Sequence, residues 1–493
     1  MEALAQLLLT LGLAVLALFA FFRSTTAEHL RGAPTRRRRW RNIVVSDPAI
    51  VQFTLIDHAD AFSNRPAAYF PKAKGWTGAY SINSVPHGPL WRALRCNLTS
   101  DILHPTRLHP LAALQQDAAE ALVADLSTRT RGGGEVVVRD SLHASVFALS
   151  ARFCFGDGVA GEHCVRALER EVLQFTLTFA QDSALFAVSG RMTRLRHWRR
   201  WLRCSGTLGR MYKLVHPIIA ARKQSRRTGI RSYVDSLLDL QIPDSENGDD
   251  ATTTGSKRRP LTDKEIVKLV FEFLGANTES VVSCVEWTLA HLVIDPEVQK
   301  KLHREITGGI QQDNGIVVSE ERLHRRLPYL RAVMLESLRL HPPVPIIVRD
   351  VSAKDAAIAG TPPAPDDAKP AVVITDIHKI GRNSEVWTDP DEFRPERFLA
   401  GGEAEGVGPM PGPKEIRMVP FGAGRRYCPG VDLAMVRVGC TLTALVRDFD
   451  WALPSDGNSL DLNEFRTFFL MMKTPLRARI TPRALAATAT ATM

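Results

Sequence analysis

A chain of 493 residues with 45% hydrophobic and 24% charged side chains has the make-up of a globular protein with a large core, which excludes wholesale disorder. Its net charge of +10 is local: residues 191–227 hold twelve Lys or Arg and no Asp or Glu, and RRRRWR at 36–41 adds five arginines, leaving the remainder slightly acidic. Seven cysteines, odd in number and without a CxxC pair, exclude a disulfide framework and a structural zinc site and fit a reducing, cytosol-facing setting.

Residues 3–22, ALAQLLLTLGLAVLALFAFF, carry no charge. Twenty residues at about 1.5 Å each match the roughly 30 Å hydrocarbon core of a bilayer. Glu2 precedes the segment, and Arg23, Arg31 and Arg36 to Arg39 follow it. A cleaved signal peptide has a basic start and a shorter apolar core. The expectation is an uncleaved transmembrane anchor at 1–22 and a basic linker at 23–42, with the body in the cytosol by the positive-inside bias. Trp40, Trp198 and Trp201 interleave the basic stretches, which suits an anionic membrane surface; no nucleic-acid fold signature accompanies them. Asn97-Leu98-Thr99 matches a glycosylation acceptor, but a cytosolic body does not meet the modifying enzyme.

PLAALQQDAAEALVADLS (110–127) has apolar residues at helical spacing, and RGGGEVVVRD (131–140) reads as a turn entering a short strand. Residues 241–260 are polar and rich in Gly, Ser and Asp, and read as a loop. Thr262 with Glu265 forms a capping box that opens a long helix, and Asp295-Pro296 closes it. About 32 residues give ~48 Å of helix, apolar around most of its circumference, so it should run through the core. Asn277, Thr278, Glu279 and Ser280 interrupt its middle. Two readings stand for them: a satisfied polar patch, or a local opening of the helix beside a ligand cavity.

DPEVQKKLHREI (295–306) continues as a helix with Pro296 in its first turn, followed by LPYLRAVMLESLRLHPP (327–343). In the latter, Glu336 and Arg339 stand i, i+3 among Leu335, Leu338 and Leu340, a setting for a buried network that needs further partners. FRPERF (393–398) supplies a second arginine–carboxylate cluster.

FGAGRRYCPG (421–430) surrounds one cysteine with three glycines, a proline and two arginines. The other six cysteines read as small buried hydrophobes. At Cys428, the glycines permit tight turns, and Arg425 and Arg426 bring positive charge. The helical run VDLAMVRVGCTLTALVRDF begins just after it, so charge and helix terminus both favour thiolate. A nucleophilic role needs a base, and no catalytic-cysteine pattern surrounds His341 or His378. A metal with a single protein donor points to an iron already held by a macrocycle, which is haem.

FGAGRRYCPG resembles the Phe-x-x-Gly-x-Arg-x-Cys-x-Gly pattern of the cytochrome P-450 monooxygenases at Phe421, Gly424, Arg426, Cys428 and Gly430. ESLR (336–339) resembles that family's Glu-x-x-Arg helix and PERF (395–398) its partner motif. WRALR (91–95) resembles the segment that meets a haem propionate. The resemblance spans residues 43–482, leaving 483–493 as a tail. NLTSDILHPTRL (97–108) and the anchor are similar to the plant microsomal A-type branch, near in-chain fatty-acid oxidases and chlorophyll-catabolite oxidases.

The resemblance implies a mainly α fold with small β-sheets, one large haem domain behind the anchor, held at the endoplasmic reticulum membrane. It implies haem b with Cys428 as iron ligand and Trp91, Arg95, Arg349 and Arg426 around the propionates. Phe421, Gly424 and Gly430 then shape the cofactor loop, and Glu336, Arg339 and Arg397 form the supporting network. Aligned through VEW (285–287), Glu279 and Ser280 take the places of an acid and a threonine that deliver protons to the oxygen substrate. Asn277 replaces the family's usual glycine, and only about twenty residues separate the anchor from NIVVSDPAIV, where a hinge, a helix and a first strand are usual.

The implied reaction inserts one oxygen atom of O2 into a lipophilic small molecule. Electrons come from NADPH through NADPH–cytochrome P-450 reductase, with cytochrome b5 as a second donor; nucleic acid is not a partner. The alternative reading is a haem-thiolate protein with weak or lost oxygenase activity, or a haem-thiolate isomerase or dehydratase. Substrate contacts are expected from the loop before Trp91, residues 175–215, Phe271 to Ala276, Val344 to Val348 and the TFFLMM turn.

Overall fold

The structure, a computed structural model, describes residues 41–483 apart from 67–80, 109–111, 131–133, 157–160, 189–197, 225–230, 245–257, 313–324, 353–354, 356–370, 413–414 and 456–458. The expected anchor lies outside these residues. No helix among the described residues is long and apolar enough to cross a membrane. The expected linker ends in structure rather than in coil, because Arg41 and Asn42 already belong to the first strand.

The fold is mainly helical. Its longer helices are α1 (Pro89–Cys96), α2 (Ala112–Arg129), α3 (Val138–Phe155), α4 (Glu162–Val188), α5 (Trp198–Gln224), α6 (Tyr233–Asp239), α7 (Asp263–Ile294), α8 (Pro296–Gln312), α9 (Pro328–Leu340) and α10 (Val431–Asp448). The bounds of α7 follow from the sequence. Thr262 accepts from the Glu265 N–H while Glu265 accepts from the Thr262 N–H, and Asp295 is the C-cap. The helix continues unbroken through Asn277 to Ser280, so of the two readings the local opening of the helix does not occur.

Two apolar clusters meet on α7. Its first half, Ile266 to Leu274, packs with Phe147 of α3, Val172 of α4, Val215 of α5 and Leu237 of α6. Its second half, Val281 to Val293, packs with Val333 of α9 and Leu442 of α10. The polar run sits where the two clusters part, so it interrupts neither. Each fully buried Leu or Val there contributes roughly 1.5–3 kcal/mol.

A third cluster lies on a small sheet of β1 (Arg41–Val45), β6 (Ala371–Asp376) and β5 (Ile346–Val351), in that order. β1 runs parallel to β6 and β5 antiparallel to it. Strand parity turns Ile347, Arg349 and Val351 inward, so one arginine shares the apolar face. Elsewhere β2 (Glu135–Val137), β10 (Arg477–Pro482) and β7 (Phe449–Ala452) form a second antiparallel sheet. β3 (Gln241–Pro243) pairs with β4 (Arg258–Pro260), and β8 (Glu464–Arg466) with β9 (Leu470–Met472). The stretch expected as a plain loop at 241–260 is thus closed at its ends by a two-stranded ribbon.

Candidate functional site

The loop that carries Cys428 is fixed by its backbone. Gly422 and Gly424 adopt φ of 72° and 71°, which favours glycine. A Cβ on Gly424 would also collide with the Leu55 carbonyl oxygen. The Cys428 N–H donates to the Phe421 carbonyl at 2.8 Å, closing the loop between these two residues. Gly430 is the N-cap of α10, and its carbonyl accepts from the Ala434 N–H at 2.9 Å. The thiol therefore stands before a helix N-terminus, as the sequence implies.

The charges around it differ from expectation. Arg425 turns outward to Asp60, at 2.8 Å. Arg426 is buried and donates to the backbone carbonyls of Ser63, Ile82 and Val85. Burial pushes the Cys428 thiol up, and what opposes it is the Gly430 backbone N–H with the positive charges of Arg95 and Arg65. Neighbours in sequence thus yield to neighbours in space, because the tight loop sends the two side chains apart.

Trp91 of α1 is buried, with the Arg426 guanidinium 5.1 Å and the Arg95 guanidinium 6.0 Å from its ring. Arg95 also donates to the Tyr427 carbonyl at 2.8 Å and covers the Tyr427 ring at 4.7 Å. Arg349 completes the cluster from the sheet. Only 2% of it is exposed, and its one hydrogen bond among the described residues goes to the Val348 carbonyl. Burial, and then the charges of Arg65 and Arg426, hold Arg349 well below the usual guanidinium range. Arg426 is lowered to about 10, again by burial first and by Arg65 and Arg95 after it.

A buried guanidinium without a carboxylate beside it is costly unless an anion neutralises it. Arg65, Arg95, Arg349 and Arg426 could together receive a group that carries carboxylates, and Cys428 could ligate an iron. The donor set fits haem b.

On α7, Ala276 is exposed although the turns to either side are buried, so this face borders open space. Ser280, one turn on, is half-buried, and its hydroxyl donates to the Ala276 carbonyl at 2.8 Å. Glu279 is fully buried; its Oε1 lies 3.0 Å from Nε2 of His143. Thr278 meets the Ser150 hydroxyl at 3.4 Å, and the Asn277 carbonyl accepts from Arg437 at 3.4 Å. Asn277 Nδ2 and Glu279 Oε2 are buried without a partner among the described residues, so the run is a polar patch only partly satisfied.

Glu336, Arg339 and Arg397 come together as one buried cluster. Arg339 donates to both carboxylate oxygens of Glu336 at 2.7 Å, and to the carbonyls of Gly381, Pro390 and Glu392 at 2.6, 2.6 and 3.0 Å. Arg397 donates to Glu336 at 3.1 Å and also reaches Glu403. The Arg394 backbone N–H adds a further bond to Glu336 at 2.8 Å. Asn97 is buried too, with its amide bonded both ways to Ser236, so the acceptor pattern there faces no solvent.

Four residues of this region are not singled out by the sequence: Arg65, Glu272, His143 and Glu169. Glu272 accepts the backbone N–H groups of Ile82 and Asn83 at 2.8 and 2.7 Å, bracing the segment ahead of Trp91. Its charge inside the apolar run KLVFEFL is a legible signal. His143, in SLHASVFALS, carries no such mark.

The cytochrome P450 family model matches residues 37–480. The chain is 33% identical over 451 residues to cytochrome P450 89A9 of Arabidopsis thaliana, covering 90% of this chain and 84% of that protein. It is 29% identical over 454 residues to flavonoid 3′-monooxygenase of Crocosmia x crocosmiiflora, with shares of 90% and 84%. Two solved structures of a zebra fish cytochrome P450, with abiraterone and with progesterone, share the fold at TM-scores of 0.66 and 0.68. Their identities are 21% and 22%, and each comparison covers 90% of this chain and 94% of the other. The motif loop, the buried network and the family match lead to one conclusion: the chain belongs to the plant cytochrome P450 family and is a cytochrome P450 monooxygenase.

Proposed function

We propose that this chain is a membrane-anchored enzyme that inserts one oxygen atom of O2 into a lipophilic small molecule. In this reading its electrons come from NADPH through NADPH–cytochrome P-450 reductase, with cytochrome b5 as a second donor. The observation that carries the reading is Cys428, held by a rigid loop before a helix N-terminus and beside Arg95 and Arg65. Haem b, when bound, supplies the oxygen chemistry. The chain's own residues hold it: Cys428 takes the iron, while Arg95, Arg349 and Arg426 neutralise the propionates beside Trp91. Phe421, Gly424 and Gly430 keep the loop's shape, and Glu336, Arg339 and Arg397 fix the segments behind it.

Ser280 places a hydroxyl on the open face of α7, and Glu279 stands next to it as a carboxyl that can hold and pass a proton. The mostly apolar side chains of Phe271 to Ala276, Val344 to Val348 and residues 467–472 suit a lipophilic substrate. Similarity to a flavonoid monooxygenase supports a small organic molecule. The uncharged stretch 3–22 with its basic C-terminal flank supports anchoring at 1–22 in the endoplasmic reticulum membrane, with the domain at 43–482 in the cytosol and 483–493 as a tail.

The test is the absorption spectrum of the reduced protein with carbon monoxide. A strongly red-shifted Soret band requires thiolate on iron, and Cys428→Ser should abolish it. A wild-type holoprotein without the shift overturns the reading. The weak-oxygenase reading draws on Asn277, beside the exposed Ala276. It is supported if wild type releases most of its reducing equivalents as peroxide and Asn277→Gly restores coupling.

A further inference from the structure

His143 of α3 is buried between two carboxylates brought by two other helices. Its Nδ1 lies 2.7 Å from Glu169 Oε1 of α4, and its Nε2 lies 3.0 Å from Glu279 Oε1 of α7. The side chain of Glu169 is 19% exposed and that of Glu279 is 1% exposed. The three groups therefore form one hydrogen-bonded line from the surface to the middle of α7. At its inner end Glu279 Oε2 is buried and has no partner among the described residues. The next residue along the helix is Ser280, on the open face.

We infer that Glu169, His143 and Glu279 form a proton-input line that supplies the Ser280 side of α7 from solvent, with His143 as its charged centre. The inference rests on the monooxygenase reading, in which protons must reach the oxygen. Histidine suits the task, because its imidazole can hold, release and take up a proton. The proton leaves Nε2 and forms an O–H bond on Glu279 Oε1. A half-turn of the carboxyl offers it on the free Oε2 side. His143, left neutral with its remaining proton on Nδ1, is recharged once the ring turns to bring its bare Nε2 to Glu169, whose carboxyl gives up a proton and takes its replacement from water. One proton enters for each that leaves, and no oxidant or reductant is needed.

The charges that face His143 are these two carboxylates. Asp125 of α2 is occupied by Arg129 and the Ser141 hydroxyl, and Asp235 of α6 by Ser232 and Arg222. Phe147, one turn along α3, stacks with the imidazole at 6.2 Å. Burial alone would lower His143, but its hydrogen bonds to Glu169 and Glu279, and their charges, raise it to about 9. The imidazole is therefore a loaded donor at neutral pH.

The test uses full-length holoprotein carrying Glu169→Gln or His143→Gln. Each variant must first show the red-shifted carbon monoxide band; a wild type lacking that band refutes the oxygenase reading instead. Glu169→Gln, at the solvent end, keeps a hydrogen-bonding group beside His143 but slows the proton-dependent step about tenfold, and enlarges its solvent deuterium isotope effect. His143→Gln breaks the line at its centre and slows the same step, and adding Glu279→Gln to it slows the step no further. A brace between helices would change stability and leave the isotope effect alone. Wild-type isotope effects and peroxide yields in both variants overturn the proposal.

Discussion

Glu336 and Arg339 face each other one turn apart on α9, both side chains 0% exposed, joined by two hydrogen bonds of 2.7 Å. Arg397 shares the same carboxylate from a different segment. One carboxylate thus serves two buried guanidinium groups, whose remaining N–H groups go to backbone carbonyls and, from Arg397, to Glu403. Those carbonyls belong to residues 381–392, so the cluster fixes an irregular stretch that has little regular structure of its own.

Removing the shared partner should therefore be severe. Glu336→Ala leaves Arg339 buried without a counter-charge and Arg397 with Glu403 alone, at a cost of about 3–5 kcal/mol. Arg339→Lys should also fail, because one ammonium cannot reach both Glu336 oxygens and three carbonyls. Thermal midpoints and the yield of protein with a red-shifted carbon monoxide band measure both.

The two glycines that flank Cys428 should respond differently. Gly424→Ala combines a positive φ with a collision against the Leu55 carbonyl, costing about 1–3 kcal/mol and displacing the thiol. Gly430→Ala meets nothing within 4 Å at an ordinary φ of −100°, so it should cost only the loss of a favoured N-cap residue, about 1 kcal/mol or less. The ratio of red-shifted to unshifted carbon monoxide band separates the two outcomes.

Arg349 should reveal itself through haem retention rather than folding. Its buried charge has no carboxylate beside it among the described residues, so Arg349→Met relieves a desolvation cost while removing a propionate partner. Haem should transfer to a high-affinity acceptor about tenfold faster, with secondary structure unchanged by circular dichroism.

Two histidines set opposite limits on stability against pH. Burial, only partly opposed by a hydrogen bond to Glu464, lowers His341 to about 4; its ring stacks on Trp287 at 3.7 Å. The unfolded chain then binds the proton more tightly, so stability is full above about 6.5 and falls as pH drops toward 4. His143, raised to about 9, acts in the other sense: its contribution is full below about 6.5 and is lost as pH rises through 9. The two contributions are both full only near pH 6.5. His341→Gln should flatten the acid limb and His143→Gln the alkaline one.

Much of this protein was legible in short stretches of sequence. The bounds of α7 come from Thr262, Glu265 and Asp295-Pro296, because capping and proline sterics act within a few residues. The cysteine loop was legible for the same reason: glycines at 422 and 424 and a helix starting at Val431 are local facts. The Glu336–Arg339 pair was visible as an i, i+3 spacing, and its burial followed from three leucines beside it.

Only the tertiary structure decided which charges meet. Arg425 and Arg426 are adjacent in sequence, yet one goes to Asp60 and the other to three backbone carbonyls, while Arg95 and Arg65 supply the field at Cys428. Glu169, His143 and Glu279 lie on three helices and touch only because those helices pack together. Arg349 is buried because a sheet covers its strand on one face. Local rules fix where elements begin and end; the partners of a long side chain depend on packing between segments hundreds of residues apart, which no short window of the sequence contains.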